Sequence, residues 1–342
     1  KHLYTSGFDS MKRFLGYCLL LSLPLLVMLA YYVVADPFKV IWHYDVYYQP
    51  DNIVNLNRGF VSAKHYSNHY KDGKYDSFIF GNSRSIAYYC EEWEKYLPDT
   101  SRCYHFDVSS GSVGELLYEI KFIKDKGTLK NALLVLDSGL LSETERDGIL
   151  FSMPPILKGG EGTLNFQKQF FTAFYSFDFF RAYIDYRINR EYKQYMDLYI
   201  VKIGRDYNPK YNELGWAYQE KQIAEGTYYD HEKLQIFESA QFPDMVSEEA
   251  LDDERKEMLK EIKSVFDAQK TDYRIVIGPQ YDQVKINPFD LQFLCDVFGK
   301  NHVFDYSGVN KWNEDYHNYY ETSHYRPCVA NEIMSLVYSD KL

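Results

Sequence analysis

The chain has 342 residues, of which 46% are hydrophobic and 18% are aromatic. This length and composition are enough to bury a full core, and they exclude an intrinsically disordered chain. The formal net charge is −11 at pH 7, and no cluster of Lys and Arg offsets it. Because phosphate binding needs a basic surface, this charge argues against nucleic acid as a partner.

Residues 14–35 contain no charged side chain, and a helix needs about 20 such residues to cross a bilayer. Lys12 and Arg13 precede the stretch and Asp36 follows it, so the positive-inside rule predicts that residues 1–13 are cytoplasmic. The apolar run is longer than that of a cleaved signal peptide, although it ends in small residues as cleavage sites do. The sequence therefore favours an uncleaved, single-pass anchor in membrane lipid, with the rest of the chain outside the cytoplasm.

Four cysteines lie in the predicted exported part, where disulfides can persist: Cys90, Cys103, Cys295 and Cys328. Four cysteines allow three pairings. Cys90 and Cys103 are close in sequence and flank one predicted helix-to-strand connection, so this pair is favoured and the others stay open. None has CxxC spacing, and neither a metal site nor a cofactor is predicted.

After the membrane span, residues 36–72 are predicted to be a stalk that folds against the body of the protein. Continuous apolar runs then predict strands covered on both faces, at 77–80, 103–108, 132–136, 273–277 and 302–305. Helical spacing is found at 85–96, 113–126, 247–269, 288–298 and 327–338. This alternation predicts an α/β fold over 73–342: a three-layer, doubly wound sheet of five parallel strands, with sites at the carboxyl ends of the strands.

Residues 140–245 interrupt this alternation between the third and fourth predicted strands. Four phenylalanines within them recur at helical spacing: Phe166, Phe170, Phe174 and Phe177. One interpretation is that they pack an inserted helix onto the sheet, followed by a Tyr- and Asn-bearing loop over 197–242. The other is a lid or docking surface, because long insertions in compact domains are usually functional.

The first predicted strand leads directly into Gly81-Asn82-Ser83-Arg84-Ser85. A serine at this strand-to-helix turn holds its hydroxyl at the edge of the sheet, near the positive end of a helix dipole. The alternative is that Ser83 is only a helix N-cap, a position that serine favours.

A late polar turn supplies a histidine and a carboxylate, since Glu321 precedes His324 by three residues. Glu321 can hydrogen-bond one ring nitrogen and leave the other as a general base toward Ser83. Asp315 and His317 form a competing pair on the same loop, and spacing alone places neither pair.

The order strand–GxS–helix near the start and acid-x-x-His before the final helix resembles the SGNH/GDSL hydrolase superfamily. Within it, GNSRS and SHYRP look closest to envelope proteins that work beside membrane-bound O-acyltransferases in D-alanyl lipoteichoic acid synthesis and alginate O-acetylation. The resemblance implies Ser83 as nucleophile, His324 as base and Glu321 in the place usually held by Asp. It also implies that the backbone N–H groups of Ser83 and Gly111 stabilise the oxyanion.

Two positions depart from the family pattern. Asn82 stands where the family's first motif has Asp, a residue whose role is mainly structural. The asparagine that completes the family's oxyanion hole is replaced by Asp137, whose charge would oppose an oxyanion, so either Ser138 is the substitute donor or the hole is incomplete. Arg84 and Arg326 adjoin the predicted nucleophile and base. They are expected either to bind an anionic or carbonyl group of the substrate or to pair with local carboxylates such as Glu91 or Asp315.

Together these features predict a membrane-anchored serine esterase or acyltransferase that acts outside the cytoplasm on an acyl ester. The resemblance implies an envelope or secreted polysaccharide as acceptor. The alternative is a non-catalytic partner that docks on a polytopic membrane-bound O-acyltransferase and positions its acceptor. A lipase or phosphodiesterase of the same fold is a third possibility.

Overall fold

The computed structural model describes residues 2–49, 52–201 and 206–339. Residues 50–51 of the predicted stalk, residues 202–205 of the predicted insertion and residue 1 of the predicted cytoplasmic segment lie outside the described residues.

Five strands form one parallel sheet in the order β2-β1-β3-β6-β7, and two short antiparallel pairs, β4-β5 and β8-β9, lie outside it. The strands are β1 Ser77–Gly81, β2 Cys103–Asp107, β3 Asn131–Leu136, β4 Asp206–Asn208, β5 Glu213–Gly215, β6 Asp272–Ile277, β7 Val303–Asp305, β8 Tyr319–Glu321 and β9 His324–Tyr325. The predicted five-stranded parallel sheet is confirmed. Its register places Gly81 beside both Asp107 and Val135, so the carboxyl ends of β1, β2 and β3 share one edge.

Twelve α-helices are described. They are α1 His2–Ala35, α2 Arg58–Gly73, α3 Cys90–Trp93, α4 Val113–Lys126, α5 Ser138–Leu141, α6 Thr163–Phe174, α7 Phe177–Asn189, α8 Ala217–Ala224, α9 His231–Phe237, α10 Asp253–Gln269, α11 Pro288–Phe298 and α12 Pro327–Val337. Short 3-10 helices cover Ser83–Ala87, Glu94–Tyr96, Pro155–Lys158, Gln194–Met196, Lys300–His302 and Tyr316–Asn318. The helices predicted at 113–126 and 288–298 begin and end at the same residues in the structure.

Two predicted helix starts differ from the structure. The segment 85–96 is a 3-10 turn, a single α-turn and a second 3-10 turn instead of one helix. The helix predicted from Ser247 begins at Asp253, because the side chain of Asp252 accepts the N–H of Arg255 at 2.9 Å and caps it. The hydroxyl of Ser247 accepts the N–H of Asn287 instead.

The core lies on both faces of the sheet, as the continuous apolar strands predict. Phe78 and Phe80 point into a cluster formed with α4, α10 and α11, whereas Ile79 points into a second cluster that includes α12. Side chains alternate between the faces of a strand, so burial of successive residues requires helices on both sides.

The segment predicted as a stalk is part of the folded body. Its second half forms α2, which the sequence analysis missed, and α2 packs against β2. Phe38 and Tyr47 are buried in a third cluster with Phe60, Phe166 and Phe170. Of the two interpretations of the insertion, packing of these phenylalanines on the sheet is wrong: Phe166, Phe170 and Phe174 of α6 pack on residues 36–60 and on the end of α1. Phe177 begins α7 and is exposed.

Met11–Ala35 of α1 is long and apolar enough to cross a membrane, and no other helix in the described part of the chain meets this condition. Its side chains are mostly exposed, as expected for a helix that faces lipid rather than a protein core. The favoured cysteine pair is also confirmed, since Cys90 and Cys103 form a disulfide between α3 and β2.

Candidate active site

Ser83 lies on a tight turn at the carboxyl end of β1. Gly81 has φ +154°, and a Cβ there would lie 2.6 Å from the carbonyl oxygen of Val135, so only glycine fits. Asn82, rather than Ser83, is the N-cap, because its side chain accepts the N–H of Arg84 at 3.0 Å. Ser83 is the first residue of the following 3-10 helix and stays partly exposed, which leaves its hydroxyl available.

His324 links this hydroxyl to a carboxylate. Its Nε2 lies 2.7 Å from the Oγ of Ser83, and its Nδ1 is hydrogen-bonded to Glu321. The short β8-β9 hairpin holds Glu321 and His324 side by side, and Glu321 also accepts the N–H of Ser323 at 2.8 Å. The structure thus brings together three residues that sequence analysis took from segments about 240 residues apart, in the hydrogen-bonded order of a catalytic triad.

The electrostatics of Glu321 favour its ionised form. Burial by itself would raise the pKa of this carboxyl. The hydrogen bond and charge of His324, the N–H of Ser323 and the positive charge of Arg84 outweigh burial and hold the pKa below its usual value. An ionised Glu321 can fix the tautomer of His324 and stabilise the imidazolium that forms when the ring takes a proton.

The competing pair Asp315 and His317 is a surface pair. Its two side chains are hydrogen-bonded at 2.7 Å and are 56% and 55% exposed, respectively. His324, and not His317, bonds to Ser83.

Arg84 connects the turn that carries Ser83 to the hairpin that carries His324. Its Nε donates to the carbonyl of Ser323 at 3.1 Å, and its Nη1 donates to Asp137 at 2.8 Å. Asp137 also accepts the side-chain N–H of Asn82 at 2.6 Å and caps α5 through the N–H of Leu140. The charge that was expected to oppose an oxyanion is therefore neutralised by an ion pair.

Arg326 likewise has a partner within the protein. Its guanidinium makes two hydrogen bonds to Glu220 of α8, at 2.9 and 2.6 Å, and Tyr320 donates to the same carboxylate. Burial would raise the pKa of Glu220, but these donors outweigh it and lower the pKa. Neither arginine pairs with the predicted Glu91 or Asp315. Each arginine instead links a segment of the site to another element through hydrogen bonds. Substrate binding by either arginine remains a prediction.

Gly111 and Ser138, the two other expected oxyanion donors, are placed less favourably than Ser83. The N–H of Gly111 donates to the carbonyl of Ser109 at 2.8 Å, which argues against its role as a donor to substrate. The glycine is needed for the turn, because its φ is +62° and a Cβ would lie 3.3 Å from that of Asn82. Ser138 begins α5 and is half-buried. Neither Gly111 nor Ser138 is among the described residues that line the cavity beside Ser83.

A cavity of about 210 Å³ opens beside Ser83 and His324. Its apolar wall comes from four separated segments: Leu56 before α2, Ile86 after β1, Val108 after β2, and Val201 and Leu214 in the insertion. Sequence analysis missed these wall residues, because no motif marks them and only the tertiary fold brings them to the serine. Ser109 also lines the cavity and follows β2, so its backbone N–H is a candidate oxyanion donor.

Trp216, from the insertion, covers His324. Its ring centroid lies 5.5 Å from that of His324 and 4.5 Å from that of Tyr320, on which it stacks. The insertion was expected to be either a packed helix or a lid. Leu214 and Trp216 lie at the cavity beside Ser83, and a lid or docking role of the insertion stays a prediction.

A second serine–histidine pair lies two residues beyond Ser83. The Oγ of Ser85 is 3.0 Å from the Nε2 of His105, and both side chains are fully buried. Burial lowers the pKa of His105 to about 4, so the ring stays neutral near pH 7. Without solvent access this pair cannot meet a substrate, and Ser85 is therefore a natural control for Ser83.

Comparison of the chain with models of known protein families gave no match, and neither did comparison with curated proteins. The functional assignment therefore depends on the geometry of Ser83, His324 and Glu321.

Proposed function

We propose that this protein is a membrane-anchored serine esterase or O-acyltransferase of the SGNH type that acts outside the cytoplasm. The observation that carries the proposal is the contact of 2.7 Å between the Oγ of Ser83 and the Nε2 of His324, whose other nitrogen bonds Glu321. A nucleophile, a base and an orienting acid in this order are what acyl transfer through a covalent intermediate requires.

In the proposed reaction, the Oγ of Ser83 forms a bond to the acyl carbon while the Nε2 of His324 takes the hydroxyl proton. The tetrahedral intermediate then collapses, and the departing oxygen takes that proton from the imidazolium. Water or an acceptor hydroxyl attacks the acyl-serine, and its proton passes through His324 to Ser83 as the ester breaks. The N–H groups of Ser83 and Ser109 are the proposed donors to the oxyanion.

The surroundings of the site support a small acyl group. The cavity beside Ser83 holds about 210 Å³, which is below the roughly 300 Å³ at which pockets for drug-sized ligands begin. Its apolar wall suits a short acyl chain. The membrane-crossing helix favours an acceptor at the outer face of the membrane, and an envelope or secreted polysaccharide fits this place.

A second candidate function is that of a non-catalytic partner of a polytopic membrane-bound O-acyltransferase. The observation that favours it is the engaged N–H of Gly111, which leaves the family's second oxyanion donor unavailable. Loss of one such donor lowers the rate about 10²–10³-fold. In this role the protein would hold the acceptor for the transferase.

A fluorophosphonate probe distinguishes the two functions. We expect the folded full-length protein to be labelled, and we expect labelling to be lost in Ser83→Ala and His324→Ala. The matched control is Ser85→Ala, which removes the hydroxyl two residues away and should leave labelling intact. A folded protein that is not labelled, or one labelled equally in Ser83→Ala, would refute the enzymatic proposal and favour the partner role.

A further inference from the structure

Helix α7 carries an apolar stripe that no part of the described chain covers. Phe177, Ile184 and Ile188 are 77%, 48% and 74% exposed, respectively. Their spacing of seven and four residues places them on one side of the helix. The buried residues of the helix, Phe179 and Ala182, lie on the opposite side, where α7 packs on the protein. Leaving a row of large apolar side chains in water is unfavourable, so such a surface is usually covered by a partner or by lipid.

This helix and its neighbour α6 are attached to the outer end of the membrane-crossing helix. The hydroxyl of Tyr175 donates to the carbonyl of Leu25 at 2.9 Å, and the hydroxyls of Tyr31 and Tyr183 lie 3.0 Å apart. The ring of Tyr32 contacts those of Phe171 and Phe174, with centroids 5.5 and 5.0 Å apart. The contact is thus made by helix α1 itself and not only by the segment that follows it.

The depth of these contacts defines where α7 lies. Leu25 precedes the end of α1 at Ala35 by ten residues, or about 15 Å at 1.5 Å per residue. The hydrocarbon core is about 30 Å thick. A hairpin that reaches Leu25 therefore enters the acyl chains of the outer leaflet, and its deepest point approaches the middle of the bilayer, when Met11–Ala35 crosses the bilayer.

Helix α7 carries two basic and two acidic residues, and one of the acidic residues, Asp185, forms an ion pair with Lys193 at 2.8 Å. Arg181 and Arg187 are exposed and lie on the two flanks of the apolar stripe. Long basic side chains on the flanks of an amphipathic helix can extend their charges toward the headgroups while the stripe enters the acyl region.

We propose that α7 is a membrane-embedded helix whose stripe of Phe177, Ile184 and Ile188 is covered by phospholipid of the outer leaflet. Together with α1, it would hold the α/β body at a fixed tilt on the membrane, because two attachment points restrict rotation that a single helix allows. This inference concerns only attachment to lipid and does not depend on the proposed catalytic function.

Spin-label accessibility in vesicles tests the proposal. The full-length protein, with Cys18, Cys295 and Cys328 changed to serine, is labelled at Ile188→Cys or Phe177→Cys and reconstituted into phosphatidylcholine–phosphatidylglycerol vesicles. The matched control is Phe289→Cys, because Phe289 is 71% exposed on α11, a helix that packs on the core at the central sheet. Collision rates are measured with oxygen, which concentrates in lipid, and with a water-soluble nickel chelate.

We expect the oxygen-to-nickel ratio at positions 188 and 177 to be several-fold higher than at position 289. A ratio at position 188 equal to that at 289 would mean that the stripe faces water, and it would overturn the proposal. Exclusion of both reagents at position 188 would also overturn it, because that result means a protein partner covers the stripe in place of lipid. Unchanged unfolding temperatures of the labelled variants establish that each comparison concerns the folded protein.

Discussion

Arg58 and Asp107 form a buried ion pair on the wall of the cavity beside Ser83. The Nε of Arg58 donates to both carboxylate oxygens at 2.9 and 3.0 Å, and the two side chains are 3% and 0% exposed, respectively. The pair joins the start of α2 to the end of β2, and Asn212 of the insertion accepts a further hydrogen bond from the guanidinium. Three distant segments thus meet at this ion pair, and Arg58 and Asp107 both line the cavity.

We predict that Arg58→Met lowers the free energy of unfolding by about 3–5 kcal/mol, because it leaves the carboxylate of Asp107 buried without a partner. Chemical unfolding of the full-length protein in detergent measures this change. The control Arg190→Met, at an exposed position, should change stability by less than about 0.5 kcal/mol. Equal losses in the two variants would contradict the role given to the pair.

Glu321→Gln tests the orienting acid. An amide side chain no longer stabilises the imidazolium and allows the wrong tautomer of His324, a change that lowers the rate about 10⁴-fold in a serine protease triad. We expect a loss of this order in the rate of fluorophosphonate labelling, and a much smaller loss in Glu321→Asp. A labelling rate of Glu321→Gln equal to that of the unaltered protein would exclude Glu321 from the reaction.

The cavity predicts selectivity for short acyl groups. Nitrophenyl esters of acetate and propionate should be cleaved faster than the decanoate, because about 210 Å³ cannot hold a long chain. Leu214→Ala removes part of the wall and should shift the preference toward longer esters, whereas Leu336→Ala, at an exposed position on α12, should not. The ratio of kcat/KM values for the esters is the measurement. An unchanged ratio in Leu214→Ala would mean that the acyl group binds elsewhere.

The pH dependence of stability should depend on Glu213. Burial is the largest influence on this carboxyl and raises its pKa from 4.5 to about 8, although it accepts the N–H of Cys90 at 2.7 Å. Below the unfolded pKa both states carry the proton and the folded state is not penalised. As the pH rises toward 8, the unfolded chain loses the proton first, so stability falls over this window.

We therefore expect Glu213→Gln to gain stability relative to the unaltered protein as the pH rises from about 6.5 to 8. Within that window His105 is uncharged, since burial lowers its pKa to about 4. Thermal unfolding at several pH values measures the difference, with the exposed Glu232→Gln as control. Parallel curves for Glu213→Gln and the unaltered protein would show that Glu213 does not titrate in this range.

The central sheet was predictable because each parallel strand is buried on both faces and appears as an unbroken apolar run. The helix α2 was not, because it buries polar side chains such as Arg58 and His65, so its apolar periodicity is weak. The insertion was not predictable in detail either, since strands of three residues such as β4 and β5 carry too little pattern. The type of a secondary-structure element could thus be predicted where all of its buried side chains are apolar. It could not be predicted where the element buries polar side chains.

The three triad residues could be chosen from sequence because each lies in a short motif whose chemistry needs that residue type. The partners of Arg84 and Arg326 could not, because Asp137 and Glu220 become neighbours only through the fold. The engaged N–H of Gly111 depends on backbone angles in a turn, which sequence constrains only through the presence of glycine.

Trapping of the acyl-enzyme tests the central claim most directly. The full-length protein is mixed with nitrophenyl acetate, quenched in acid and digested, and the acetylated peptide is located by mass spectrometry. The account predicts one acetyl group on the oxygen of Ser83, formed in Ser85→Ala and absent in His324→Ala. An acetyl group on a different residue, or equal acetylation of Ser83 in His324→Ala, would contradict it.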